Sequence, residues 1–174
     1  MRWSLNPSSL AQRRVSASRS SPGLAITNFD EDHANGLPDL RSSHIKIGAL
    51  WRAKNVEPDD ILELKSEDGI GKGIAELVRM AKEYKHPLSA PIDFGNVKRK
   101  MFYNSRADFE DENNLSGVIV LEVNGRKIIF PGDVERAGFE KLMEQEAFRN
   151  AVADATILVA PHHGRESSVH EAFL

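Results

Sequence analysis

The chemistry of this sequence is concentrated in three short polar clusters, each placed just after an apolar run. Asn28 to His33 (NFDEDH) follows LAIT, Gly132-Asp133 follows RKIIF, and His162-His163-Gly164 follows ILVA. If the apolar runs are strands of one sheet, their ends share a rim, which is where α/β folds place chemistry. Asp30, Asp32, His33, Asp133, His162 and His163 then converge. Carboxylates and imidazoles gathered in this way resist burial unless a cation compensates them. Any one cluster alone reads as a solvated loop; three at strand ends point to a metal centre. The chain has no cysteine, so a metal must be held by His, Asp, Glu or Asn.

The elements that would position these residues follow from the apolar pattern. The chain has 174 residues and a mass of 19.4 kDa, which suits one domain. No apolar run approaches the ~18 residues of a transmembrane helix, so no membrane partner is expected, and the expected location is cytoplasmic. The net charge is −3. Arg2, Arg13, Arg14 and Arg19 stand in an acid-free, Ser-rich stretch, so the chain after residue 25 carries −7. Residues 1–22 therefore read as a disordered leader, similar in composition to an organellar transit peptide but without a secretory apolar core. Residues 23–174 read as the folded domain.

Leu24–Thr27 and His44–Trp51 read as strands, and Pro58–Ser66 as a short helix opened by proline. Ile74, Leu77, Val78, Ala81 and Tyr84 have helical spacing. Residues 86–100 read as a loop. Ser116–Val123 and Arg126–Phe130 form a hairpin about Asn124-Gly125, Glu135–Phe148 a helix, and Ala155–Ala160 a buried strand. Strands alternating with helices give an α/β layered domain. GIGKG (69–73) lacks the Lys-Ser/Thr of a phosphate loop. Lys98-Arg99-Lys100 reads as a solvated loop with weak potential for nucleic acid. Asn113 and Asn114 read as turn formers, Ser167 or Ser168 as a helix cap, and Arg165 as a substrate-binding or surface cation. His44, His86 and His170 have no assigned role.

TNFDEDHANGL resembles the THxHxDHxGGL signature of the metallo-β-lactamase-fold hydrolases. KIIFPGD resembles the strand and bridging aspartate of that fold, and LVAPHHGRES its late histidine motif. The stretch from Asn113 to Glu135 followed by ILVAPHHG is most similar to the ComEC-like branch, which contains the nuclease-like domain of competence proteins. The resemblance covers residues 24–174, least specifically over 52–100. It implies an αββα sandwich, expected here in truncated form, lacking its first and last strands. The family's first two motif histidines fall on Asn28 and Asp30, and its third near Asn113 or Asn114. The matching half comprises Asp32, His33, Asp133 as bridge, and His162 or His163. One site at Asp32, His33 and His162 and a weaker second one are expected, with Asp30 as a further ligand and Asn28 as a poor one. Of the two late histidines, one is expected on metal and the other on a carboxylate or substrate.

The resemblance implies one or two divalent ions; oxygen donors favour Mn or Mg over Zn. It also implies hydrolysis of a phosphodiester or related phosphate ester by a metal-activated water, with Asp32 and Asp133 as catalytic groups. The acidic domain gives little support to long nucleic acid, and a small-molecule ester or lactone stays open. The alternative is a degenerate or truncated fold member without turnover, acting as a binding module or having no function of its own. Oligomeric state is not legible.

Overall fold

The computed structural model describes residues 20–21, 23–67, 69–84, 94–168 and 170–171. Its first half is built from strands of only two residues. Ser20–Ser21 (β1) pairs in parallel with Lys46–Ile47 (β3), and Leu24–Ala25 (β2) with Leu50–Trp51 (β4). The single strand expected over His44–Trp51 is thus divided at Gly48-Ala49, because its two halves serve different partners. Ser20 and Ser21 belong to the segment expected to lack structure, yet they sit in a ladder; residues 1–19 and 22 lie outside the described residues.

Among the described residues, four helices complete this half: Glu31–Ala34 (α1), Leu37–Ser42 (α2), Pro58–Leu64 (α3) and Lys72–Glu83 (α4). In α4 the expected apolar stripe is realised, with Ile74, Leu77, Val78 and Ala81 all buried. It packs with Phe29, Ala34, Val56, Ile61 and Leu115 into one core. The approach of α4 to α1 is close enough that a Cβ on Gly73 would fall 2.4 Å from the carbonyl carbon of Ala34. Backbone cannot yield as a side chain can. Gly73→Ala is therefore expected to destabilise the protein by about 2 kcal/mol through overpacking, although alanine is the better helix former. A lower urea midpoint at unchanged m-value would show it.

The second half is a four-stranded mixed sheet in the order β5-β6-β7-β8, formed by Val97–Phe102, Val118–Val123, Arg126–Phe130 and Ile157–Leu158. The β6–β7 hairpin turns on Asn124 and Gly125, both left-handed at φ 52° and 75°, as a twisted two-residue turn requires. Val118, Val120 and Ile129 on one face meet Phe139 and Leu142 of Arg136–Met143 (α5) and Phe148 and Val152 of Glu146–Val152 (α6) in a second core. The one helix expected over Glu135–Phe148 is broken at Glu144-Gln145, which lets both segments face this core.

Two further expectations are corrected. Lys98-Arg99-Lys100 is not loop but strand, paired from Val97↔Val123 to Phe102↔Val118; residues 86–93 lie outside the described residues. The Ala155–Ala160 run is not a buried strand. Only Ile157 and Leu158 pair, on β7, and Ile157 and Val159 are exposed at the sheet's edge.

The three apolar runs that precede the polar clusters do not share one sheet: β2 belongs with β4, whereas β7 and β8 belong to the four-stranded sheet. Hydrogen bonds beyond the ladders draw their ends together instead. The Gly117 amide donates to Thr27 O at 2.6 Å, and the His162 amide to Gly132 O at 3.0 Å. Among the described residues the architecture is mixed α/β.

Candidate metal centre

Asp30 starts the local construction. Its backbone is extended (φ −99°, ψ 157°) and its Oδ1 accepts the Glu31 amide at 2.8 Å, capping α1. A helix of four residues has little stability of its own, so the cap matters. The turn that follows presents Asp32 and His33. Gly132 supplies the second contribution. It is left-handed (φ 61°), and a Cβ there would lie 3.0 Å from the Thr27 Cβ. The chain can thus reverse tightly under the end of β2 and bury Asp133, whose amide donates to Ser116 Oγ at 3.1 Å. The third contribution is the turn Pro161–Gly164. His162 and His163 are both left-handed at φ 43° and 55°, a conformation that costs a non-glycine residue about 1–2 kcal/mol. The hydrogen bond from the His162 amide to Gly132 helps to hold it.

Four side chains meet. Asp32, His33, Asp133 and His163 each offer a ligand atom, all within 4.8 Å of one another. His33 Nε2 lies 3.0 Å from Asp133 Oδ2 and 3.9 Å from Asp32 Oδ1. His163 Nε2 lies 3.0 Å from Asp32 Oδ2 and 3.5 Å from Asp133 Oδ2. Asp133 is buried and His33 nearly so, whereas Asp32 and His163 are more than half exposed. The group is a bowl with a closed floor and an open rim.

The other expected site residues are placed elsewhere. His162 is buried, with Nδ1 3.0 Å from Glu135 Oε1 but outside hydrogen-bond alignment; His163, not His162, joins the four. Asp30 pairs with Lys65 at 2.9 Å. Asn28 is buried with both ends engaged: Oδ1 accepts the Phe29 amide and Nδ2 donates to Asn113 Oδ1. Asn114 Oδ1 accepts the amides of Glu135 and Gly138 at the start of α5. Arg165 is exposed just beyond the histidine turn. Ser116, Glu135, Lys65 and Glu112 were not singled out from sequence. Ser116, Glu135 and Lys65 each meet a site residue only through folding, and Glu112 reaches Asp30 only by way of Lys65.

The electrostatics follow the geometry. The hydrogen bond to Asp133 raises the pKa of His33 against the opposing effect of burial. Burial works against ionisation of Asp133, but the His33 hydrogen bond and the charges of His33, His163 and His162 outweigh it and hold that carboxyl low. In the metal-free protein, His33 adds stability below about pH 6.5 that is lost as pH rises through its higher folded pKa. Asp133 adds stability above about pH 4 that is lost as pH falls through its lower folded pKa. The metal-free wild type should therefore exceed His33→Gln most between roughly pH 4 and 6.5, with the gap closing as pH rises through the folded pKa of His33. Urea midpoints across that range test this; a gap independent of pH would mean that the pair is uncharged.

Two carboxylates and two imidazoles within one coordination radius form a donor set suited to a divalent ion. No described helix is long and apolar enough to cross a membrane. No family model matches the chain, and no solved structure matches it. The chain is 29% identical over 155 residues to ComE operon protein 3 of Bacillus subtilis (strain 168), an alignment covering 87% of this chain and 18% of that protein. The chain is therefore similar to a ComE-operon protein and spans under a fifth of its length.

Proposed function

We propose that this chain is a metal-dependent hydrolase of the metallo-β-lactamase fold acting on a phosphodiester or related phosphate ester. The observation that carries the reading is the convergence of Asp32, His33, Asp133 and His163 from three separate segments onto one open bowl. The two strained histidines and the similarity to ComE operon protein 3 support it. Backbone strain of this kind persists where surrounding structure enforces it, and it clusters at functional sites.

A divalent ion (Mn, Zn or Mg) bound by these four side chains would supply Lewis acidity and a water acidified towards neutrality. The protein's own groups divide the remaining work. Asp133, buried and with its amide tied to Ser116, sets the floor of the bowl. Asp32, at the open rim, can take up the proton released when water attacks. Glu135 stands beside His162, behind the histidine turn. Arg165, exposed next to that turn, is available to an anionic substrate oxygen.

The observed use of the basic strand favours a small phosphate ester over long nucleic acid. Lys98 pairs with Glu122 at 3.1 Å. The Arg99 guanidinium lies 4.2 Å from the ring centres of both Trp51 and Phe94. Neither is arranged as a phosphate-tracking groove. The test is hydrolysis of bis(p-nitrophenyl) phosphate by the purified chain with Mn2+ or Zn2+, with and without chelator. Metal-dependent turnover is expected. Folded, metal-loaded protein inert towards phosphodiester, phosphomonoester and lactone substrates would sink the hydrolase reading and leave a binding module.

A further inference from the structure

We propose that Lys65 is the centre's built-in cation, withholding Asp30 from metal so that the centre takes one divalent ion per chain. This inference rests on the function proposed above. Lys65 ends α3, and its side chain is only 4% exposed. Its ammonium lies 2.9 Å from Asp30 Oδ1 and 2.7 Å from Glu112 Oε1. A buried ammonium is tolerated only when paired and hydrogen-bonded, and two carboxylates do that here. The acid excess that sequence reading assigns to an external cation is thus divided. Lys65 answers Asp30 and Glu112, while Asp32 and Asp133 are left to an ion.

The remaining donors support the count. Asp30 Oδ1 already accepts from Lys65 and from the Glu31 amide. Both ends of Asn28 are hydrogen-bonded, and His162 is buried outside the four-residue group, its Nδ1 beside Glu135 but not hydrogen-bonded to it. What is left is the group Asp32, His33, Asp133 and His163. Four side chains, completed by water or substrate, make one coordination shell. A two-metal site holds its ions about 3.5–4 Å apart and needs further ligands. Those ligands would have to come from Asp30 and Asn28, and a second dication beside Asp30 would also face the Lys65 ammonium. Lys65 acts through Asp30, which caps the helix bearing Asp32 and His33, and so it is a positioning residue.

The experiment is calorimetric titration of metal-free protein with Mn2+ and Zn2+, with mass-spectrometric metal content, for wild type and for the Asp30→Asn and Asp32→Asn variants. Asparagine caps a helix as well as aspartate does. Asp30→Asn should therefore keep one ion with a Kd within about threefold of wild type, a change well under the tenfold that 1.4 kcal/mol represents. Asp32→Asn should weaken binding by more than about tenfold, as expected for loss of a direct ligand. Two ions per wild-type chain would overturn the inference alone, as would loss of the ion in folded Asp30→Asn. No ion in folded wild type would overturn this inference and the proposed function together. The wild-type stoichiometry decides the matter even where Asp30→Asn fails to fold.

Discussion

Asp133→Asn is expected to empty the centre of its divalent ion while leaving the fold in place. The substitution keeps the size of a side chain that is 6% exposed, and the main-chain hydrogen bond to Ser116 is independent of side-chain charge. What it removes is the buried anion that both imidazoles share, 3.0 Å from His33 and 3.5 Å from His163. Losing an outer partner of a metal ligand already costs about 10–100-fold in affinity. Losing a direct, buried, charged ligand should exceed about 100-fold, or roughly 3 kcal/mol. Metal content after desalting should fall from about one ion per chain to under about a tenth of that. Phosphodiester hydrolysis should fall with it, and excess metal should restore it only in part. An Asp133→Asn protein that retains its ion would remove Asp133 from the ligand set and with it the floor of the proposed bowl.

The chain announces some of this architecture through local chemistry. Asn124-Gly125 is such a signal, because few residue pairs accept two successive left-handed conformations, and the hairpin it specifies is formed. The Ile74 to Ala81 spacing is another, since a period near 3.6 has no other use. Asp32, His33 and Asp133 are legible because polar residues directly after strands have no packing role to explain them. Sheet partnership is less visible: nothing in LAIT states that β2 joins β4 and not the strand before Gly132. Strand β5 is hidden because VKRKMF carries charge at successive positions, and its partner β6 decides its state. The choice between His162 and His163 is set by left-handed backbone that two adjacent identical residues cannot advertise. Least legible is Lys65. It sits in LELKSEDG, which reads as solvated surface, and its partners Asp30 and Glu112 are far away in sequence.

Lys65→Met should for that reason be the most destabilising single change around the centre, by about 3 kcal/mol. Removing one partner of a buried ion pair costs ~3–5 kcal/mol because the other charge stays behind unpaired. Here Glu112 is 18% and Asp30 41% exposed, so water recovers part of the loss and the lower end applies. Methionine matches the lysine stem in length, which separates charge from packing. The pH dependence gives the cause. Burial opposes ionisation of Asp30, yet the hydrogen bonds from Lys65 and the Glu31 amide keep its pKa below 3.8. The stability it contributes is present above its unfolded pKa, about 3.9, and is lost as pH falls through the folded value. Lys65, its pKa raised by the same partners against burial, keeps its contribution up to about pH 10. The deficit of Lys65→Met should therefore be full at pH 7 and shrink on acidification below pH 4, as Asp30 takes up a proton. Adding Glu112→Leu to Lys65→Met should restore more than half of the loss at pH 7, because apolar replacement of a buried pair is often close to neutral. A deficit unchanged between pH 7 and pH 3, and unrelieved by Glu112→Leu, would show that Lys65 contributes only its packed stem.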